Sequence, residues 1–224
     1  MATPRTHALM YHDVFSDDPD ESGFPGSSAA RYKLPWPEFV AHLDAIGRVV
    51  TGPPDLASGS WALTFDDGGA SMIGVAAELA RRGWRGHFYV TTCRIGEPGF
   101  LDEAGVRELR RLGHAVGSHS ASHPDRMSSL SDERLLEEWK TSVDALSELL
   151  GEPIRTASVP GGYYAPRVAA AAASAGITVL CTSEPVRRLQ RVGGCLVVGR
   201  LSVRRSTSPG DVAAAVAGKR TPWL

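Results

Sequence analysis

The chain has 224 residues, 42% apolar and 22% charged, enough to bury a core in one domain without disulfides. With 24 basic against 25 acidic residues the net charge is −1, which argues against nucleic acid or an anionic membrane as the main partner. Cys93, Cys181 and Cys195 are too few and too widely spaced for a disulfide framework or a cysteine zinc site, and are expected as buried free thiols. No apolar run is long enough to span a bilayer. The opening MATPRTHALMYHDV lacks the apolar stretch of a signal peptide, so a cytoplasmic protein is expected.

In chain order, residues 8–11 read as a first strand. Residues 16–35, SDDPDESGFPGSSAARYKLP, are rich in Pro, Gly, Ser and Asp and read as a long loop. Such loops often form a substrate-binding edge. Pro37 suits the first turn of a helix with Phe39, Val40, Leu43 and Ile46 on one face. Trp61–Phe65 is a second strand, followed by a helix over 71–82 that stops at Gly83. Residues 87–91 form a third. Asp102 is placed to cap a helix with Val106, Leu109 and Leu112 facing inward, ended by Gly113. Residues 115–117 make a short strand. Ser131 caps a helix running to about Leu150; Arg134 stands where a capping box needs Glu or Gln, while Asp132 and Glu133 suit the helix dipole. Strand 156–159, the turn PGGYYAP, helix 167–175, strands 177–181 and 195–198, and helix 211–216 complete the chain.

This alternation predicts an α/β fold, a mostly parallel sheet covered by helices in a single domain over 1–224, with no repeat or domain-scale linker. A distorted barrel and an open sheet both fit the pattern. The polar residues of interest follow strands, whose carboxyl ends converge on one face. Asp66 and Asp67 close LTFDDGG, and His119 and His123 lie in GSHSASHPD. Two histidines four apart aim at one point if the turn between them is helical. Two His and one Asp make a zinc-type set with an open position for water. Adjacent carboxylates after a strand point in different directions, so one suits the metal and the other a proton. Gly68 and Gly69 allow a tight turn below them. His42, His87 and His114 read as structural, and Trp36, Trp61, Trp84 and Trp139 more readily as core than as sugar platforms.

TFDDG followed by HSASH resembles the polysaccharide deacetylase (NodB-homology) family, metal-dependent carbohydrate esterases on a distorted (β/α) barrel. The resemblance runs from Leu9 to about residue 205. It implies Asp66 as catalytic base and Asp67, His119 and His123 as ligands of a divalent ion, Zn²⁺ by preference. The family's Arg-x-Pro-aromatic-Gly motif falls on Ser158-Val159-Pro160-Gly161-Gly162, so Ser158 replaces the arginine and Gly161 the ring, with Tyr163 or Tyr164 as substitutes. Backbone amides over Pro160, Gly161, Gly162 and Tyr163 are then the expected oxyanion donors. The family's Leu-x-His acid is absent from GRLSVRRST. A branch acting on poly-N-acetylglucosamine carries its acid on the first strand, in a pattern resembling Met10-Tyr11-His12-Asp13-Val14, which implies His12 as general acid and Asp13 as its orienting group. Arg200, Arg204 or Arg205 is the candidate replacement for the missing arginine, against a solvated basic run.

The expected activity is therefore metal-dependent N-deacetylation of an amino sugar or glycan. Two alternatives remain. One is deacylation or cyclic-amide opening on a cytoplasmic small molecule, with loop 16–35 closing over it. The other is a glycan- or partner-binding homologue without turnover. Oligomeric state is left open.

Overall fold

A register of adjacent parallel strands returns to its own first member. The computed structural model describes residues 6–56 and 61–219; residues 1–5, 57–60 and 220–224, including the terminal TPWL, lie outside them. The strands are β1 (His7–Tyr11), β2 (Val14–Phe15), β3 (Leu34–Pro35), β4 (Trp61–Phe65), β5 (His87–Val90), β6 (Ala115–Ser118), β7 (Thr156–Ser158), β8 (Val179–Thr182), β9 (Gln190–Val192) and β10 (Cys195–Ser202). The helices are α1 (Ser27–Ala30), α2 (Trp36–Gly47), α3 (Met72–Arg81), α4 (Glu103–Arg111), α5 (Asp132–Leu150), α6 (Pro166–Ser174) and α7 (Pro209–Val216). Strands β1, β4, β5, β6, β7, β8 and β10 lie side by side in that order, and β10 pairs back to β1, so seven parallel strands close a barrel. Strand β9 adds antiparallel to the outside of β10. This decides for the barrel over the open sheet.

Side-chain alternation along the strands builds two cores. Leu9 and Tyr11 of β1 and Leu63 and Phe65 of β4 face the helices and join the large outer core with Phe39, Leu79, Trp139 and Leu146. Ala8, Ala62, Tyr89, Cys181 and Val198 form a smaller cluster of their own. In β4 the alternation carries Ala62 and Thr64 to the side opposite Leu63, and Asp66 is next in that series. Trp61 and Trp139 are buried and Trp36 and Trp84 pack against the core, as expected. His42 bonds to the Thr207 carbonyl and His114 to the Ala76 carbonyl, both structural. Asp102 and Ser131 cap their helices, each accepting from the backbone amide three residues on. Among the described residues no helix is long and apolar enough to cross a membrane.

Several local expectations are corrected. The final barrel strand runs eight residues rather than four, because it pairs with β8, β9 and β1 together. Cys93 is exposed; Cys181 and Cys195 are buried, and all three are free. Segment 16–35 is not structureless. It holds a 3₁₀ turn at Pro19–Glu21, α1, and β3 paired to β2.

Polar contacts tie that segment to the barrel through Asp13 and brace it internally through Lys33. Asp13 Oδ1 accepts from Ser22 Oγ at 2.7 Å and Ser71 Oγ at 2.8 Å. Lys33 Nζ, itself buried, donates to the carbonyls of Pro19 and Ser22, both at 2.6 Å. A Cβ on Gly69 would come within 1.9 Å of Asp13 Oδ1, so any larger residue here would displace the Asp13 carboxylate from its partners. Burial pushes the Asp13 carboxyl up to about 6, against the bonds from Ser22 and Ser71. Between the ordinary 3.8 and about 6 the folded chain holds this proton more tightly than the unfolded one, so the contribution is full below that window and is lost as pH rises through it. Asp13→Asn is expected to flatten that part of the stability curve in chemical denaturation. Asp13→Ala is expected to cost about 1–3 kcal/mol and to speed proteolysis within 16–35, because the buried Ser22 hydroxyl and the part-buried Ser71 hydroxyl lose their acceptor.

Candidate active site

Asp66 emerges from the end of β4, and its backbone amide donates to the Tyr11 carbonyl at 3.0 Å. Its carboxylate is buried, and burial alone would raise its pKa; the Arg200 guanidinium, with His119, outweighs that and leaves it below the usual range. Arg200 is buried on β10, in register with Ala8 of β1. Its Nη1 donates to Asp66 Oδ1 at 2.7 Å and its Nη2 to Oδ2 at 2.8 Å, a bidentate pair. Nη2 also donates to Ser158 Oγ at 2.6 Å, Nη1 to Thr64 Oγ1 at 2.9 Å, and Nε to the Thr182 carbonyl at 3.1 Å. All five guanidinium N–H groups are thus used. Ser158 donates onward to Asp66 Oδ2 at 2.9 Å. Of the three arginines considered for the missing motif residue, the structure brings Arg200 to Asp66. Arg204 lies over the Tyr32 ring, and Arg205 donates to the Lys33 carbonyl.

Asp67 reaches the same cavity because its backbone is left-handed, φ 80°, which breaks the strand alternation. Ser120 (φ 65°) and His123 (φ 57°) are the other non-glycine residues with positive φ among those described, so this backbone strain is concentrated at the site. The turn between the histidines is not helical, so the two side chains converge without the condition under which their spacing alone would aim them at one point. The turn is held by Glu138 of α5. Glu138 accepts from the amides of Ala121 and Ser122 at 3.1 and 2.9 Å and from Ser122 Oγ at 2.6 Å. His123 N donates to Ser120 Oγ at 3.0 Å.

The ligand atoms of Asp67, His119 and His123 lie within 4.8 Å of one another, an arrangement that could hold a metal ion. His119 Nδ1 donates to the Ser158 carbonyl at 3.0 Å, which fixes the tautomer and turns the Nε2 lone pair inward. His119 Nε2 is 3.3 Å and His123 Nε2 3.5 Å from Asp67 Oδ1. Burial would lower His119 and raise Asp67, yet Asp66 and Asp67 carry His119 up, and the two histidines hold Asp67 well below its usual range. Both shifts describe a pocket that attracts positive charge. The donor set and its oriented imidazole fit a divalent ion.

His12 sits at the end of β1, half-buried, and lines the same cavity, of about 750 Å³, as Asp66, Asp67, His119 and His123. Burial lowers its pKa, and Asp67 and Asp66 raise it part of the way back. Its ring lies 5.0 Å from that of Tyr32, and its Nδ1 is buried without a partner. Asp13 does not orient it: Asp13 Oδ1 accepts from Ser22 and Ser71, and neither its Oδ2 nor His12 Nδ1 has a hydrogen-bond partner among the described residues. Gly161 and Gly162 line the cavity, whereas Pro160 is buried beneath the turn and Tyr163 is exposed, its ring under Arg126 at 4.1 Å. No ring fits at Gly161: φ is 67°, and a Cβ would come within 2.2 Å of the Asp125 carbonyl oxygen. Tyr164 packs against the core.

Sequence reasoning missed the part played by Ser158, by Glu138, and by Phe24 and Tyr32 of segment 16–35. Glu138 carried a signal, since an acid three residues after Leu135 lies on the apolar face of α5. The Phe24 ring lies 4.6 Å from that of His123, tilted by 45°, a contact that no local pattern encodes.

Residues 54–180 match the model of the polysaccharide deacetylase family. A chitin deacetylase of Arthroderma benhamiae is 34% identical over 95 residues, 42% of this chain and 25% of that protein, so the chain spans about a quarter of that relative. The deacetylase PplD of Streptococcus pyogenes, solved with acetate, superposes with a TM-score of 0.73 at 18% identity over 93% of this chain and 96% of that one. IcaB from Ammonifex degensii gives 0.74 at 22% identity over 96% and 97%. At these identities the two structures speak for the barrel alone.

Removing Arg200 leaves a buried carboxylate without its counter-charge. Arg200→Ala is expected to lower stability by about 3–5 kcal/mol, and Ser158→Ala by about 1 kcal/mol, in urea unfolding.

Proposed function

The chain belongs to the polysaccharide deacetylase family, and on that premise we propose that it hydrolyses the N-acetyl amide of an amino sugar or glycan, releasing acetate and a free amine. One observation carries the proposal. The ionised Asp66 carboxylate, locked by Arg200, stands 4.0 Å from His119 of the Asp67–His119–His123 set, within one cavity.

Asp67, His119 and His123 would hold the divalent ion, with Zn²⁺ the best match to two nitrogens and one oxygen. When bound, such an ion polarises the amide carbonyl and lowers the pKa of a water toward about 7. Asp66 takes the proton of the attacking water as the new C–O bond forms. Arg200 and Ser158 keep that carboxylate ionised and fix its orientation, so no reorganisation is needed at the moment of reaction. The cavity-lining turn at Gly161 and Gly162 offers backbone amides to the oxyanion; Pro160 sets that turn, and Tyr163 contributes through its backbone only. His12 gives a proton to the nitrogen as the C–N bond breaks.

A smaller substrate is favoured by the cavity wall. Phe24, Pro25, Ala29 and Tyr32 of segment 16–35 line the site; Asp13 ties that segment to the barrel through Ser22, and Lys33 braces it from within. This favours a short oligomer, a chain end or a small amide over the middle of a long polymer.

Stripping metal with a chelator, or His119→Ala, is expected to abolish acetate release from N-acetylglucosamine oligomers, with zinc restoring the stripped wild type only. Full activity after stripping would contradict the proposal. His12→Ala is expected to keep bound metal and lose about 100-fold or more in kcat. An acid must be protonated, so the wild-type rate falls as pH rises through the His12 pKa. Persistence of that limb in His12→Ala would reject His12 as the acid.

A further inference from the structure

The two sides of the cavity mouth differ in charge. Around the barrel β1 and β10 are neighbours and β6 and β7 are neighbours; β4 and β5 separate the pairs on one side and β8 on the other, so they face each other across the barrel. On the β6–β7 side the cavity is lined by Asp125 and the Gly161–Gly162 turn. On the β1–β10 side it is lined by His12, Tyr32 and Arg204. Tyr32 links the other two: its ring is 5.0 Å from that of His12, and the Arg204 guanidinium lies 5.8 Å from its centroid.

Arg204 differs from the other cations lining the cavity. Arg94 is paired with Glu97 at 2.6 Å, and Lys33 is occupied by two backbone carbonyls. The exposed Arg204 guanidinium has neither a carboxylate within 4.0 Å nor a hydrogen bond to any described residue. A guanidinium laid over an aromatic ring keeps its N–H edge free for a planar, bidentate acceptor. We infer that Arg204 and Tyr32 form an anion subsite on the amine side of the scissile amide, for substrates carrying a carboxylate or phosphate near the leaving nitrogen. The inference rests on the proposed role of His12, because the group that protonates the leaving nitrogen marks the end of the cavity that holds the amine portion.

The test is binding and turnover on the zinc-loaded protein. Calorimetry with glucosamine, muramic acid and glucosamine 1-phosphate reads affinity without chemistry. Acetate release from the three N-acetylated counterparts reads kcat/KM. At least one anionic sugar is expected to be preferred about ten-fold or more, about 1.4 kcal/mol, over the neutral one. Arg204→Gln should remove that preference and leave the neutral sugar unchanged, with Arg204→Lys intermediate. The carboxylate and phosphate arms show which anion is taken. Equal binding of neutral and anionic sugars would overturn the inference. So would a preference that survives Arg204→Gln, which would place the anion on another cation of the cavity. An Arg204-dependent preference without acetate release would keep the subsite and reject the deacetylase proposal; acetate release from all three sugars alike would do the reverse.

Discussion

The buried pair of Asp66 and Arg200 is the contact around which the rest of the site is arranged. An isolated carboxylate at that depth would take up a proton rather than stay charged. The guanidinium prevents this, but it is itself buried and needs all five of its donors answered. The residues that answer them come from three strands, Asp66 and Thr64 at the end of β4, Ser158 from β7 and the Thr182 carbonyl from β8, while Arg200 itself stands on β10. The β1–β10 pairing that closes the barrel sets β10 two strands from β4, within reach of Asp66. Closure and chemistry therefore depend on each other, and the length of β10 reflects it.

The same arrangement accounts for a departure from the family's motif. Ser158 stands where the motif resemblance implies an arginine, and the cation beside Asp66 comes from β10. The Ser158 hydroxyl accepts a hydrogen bond from Arg200 and donates one to Asp66. Around this core the backbone carries strain at Asp67, Ser120 and His123, and each strained point adjoins a fixed polar contact. Glu138, accepting three bonds from the histidine loop, is the largest of these supports. Such pre-organisation suits a site whose proposed work is to place a base, a cation and an acid around one carbonyl.

Much of the fold was legible because strand and helix periods are local. Trp61–Phe65, the caps at Asp102 and Ser131, and the helix ends at Gly83 and Gly113 could all be read directly. Asp66, Asp67, His119 and His123 were legible as one cluster, since short motifs after strands converge in such folds. The positive φ values were not, because strain is imposed by tertiary contacts. Nor was the choice among Arg200, Arg204 and Arg205, which depends on strand register: one residue of slip would turn Arg200 to the helices. Asp13 was misread as a partner for His12, because its real acceptor role joins residues 58 positions apart. Segment 16–35 looked like loop from composition, and its packing on His123 and His12 emerged only in three dimensions.

The central claim is the division of labour between two adjacent carboxylates, Asp67 for the metal and Asp66 for the proton. Bound zinc and acetate release, measured side by side in Asp66→Asn and Asp67→Asn, test it most directly. The expected result is that Asp66→Asn keeps stoichiometric zinc and loses turnover, whereas Asp67→Asn loses both. Retained turnover in Asp66→Asn, or loss of its zinc with retention in Asp67→Asn, would contradict the claim.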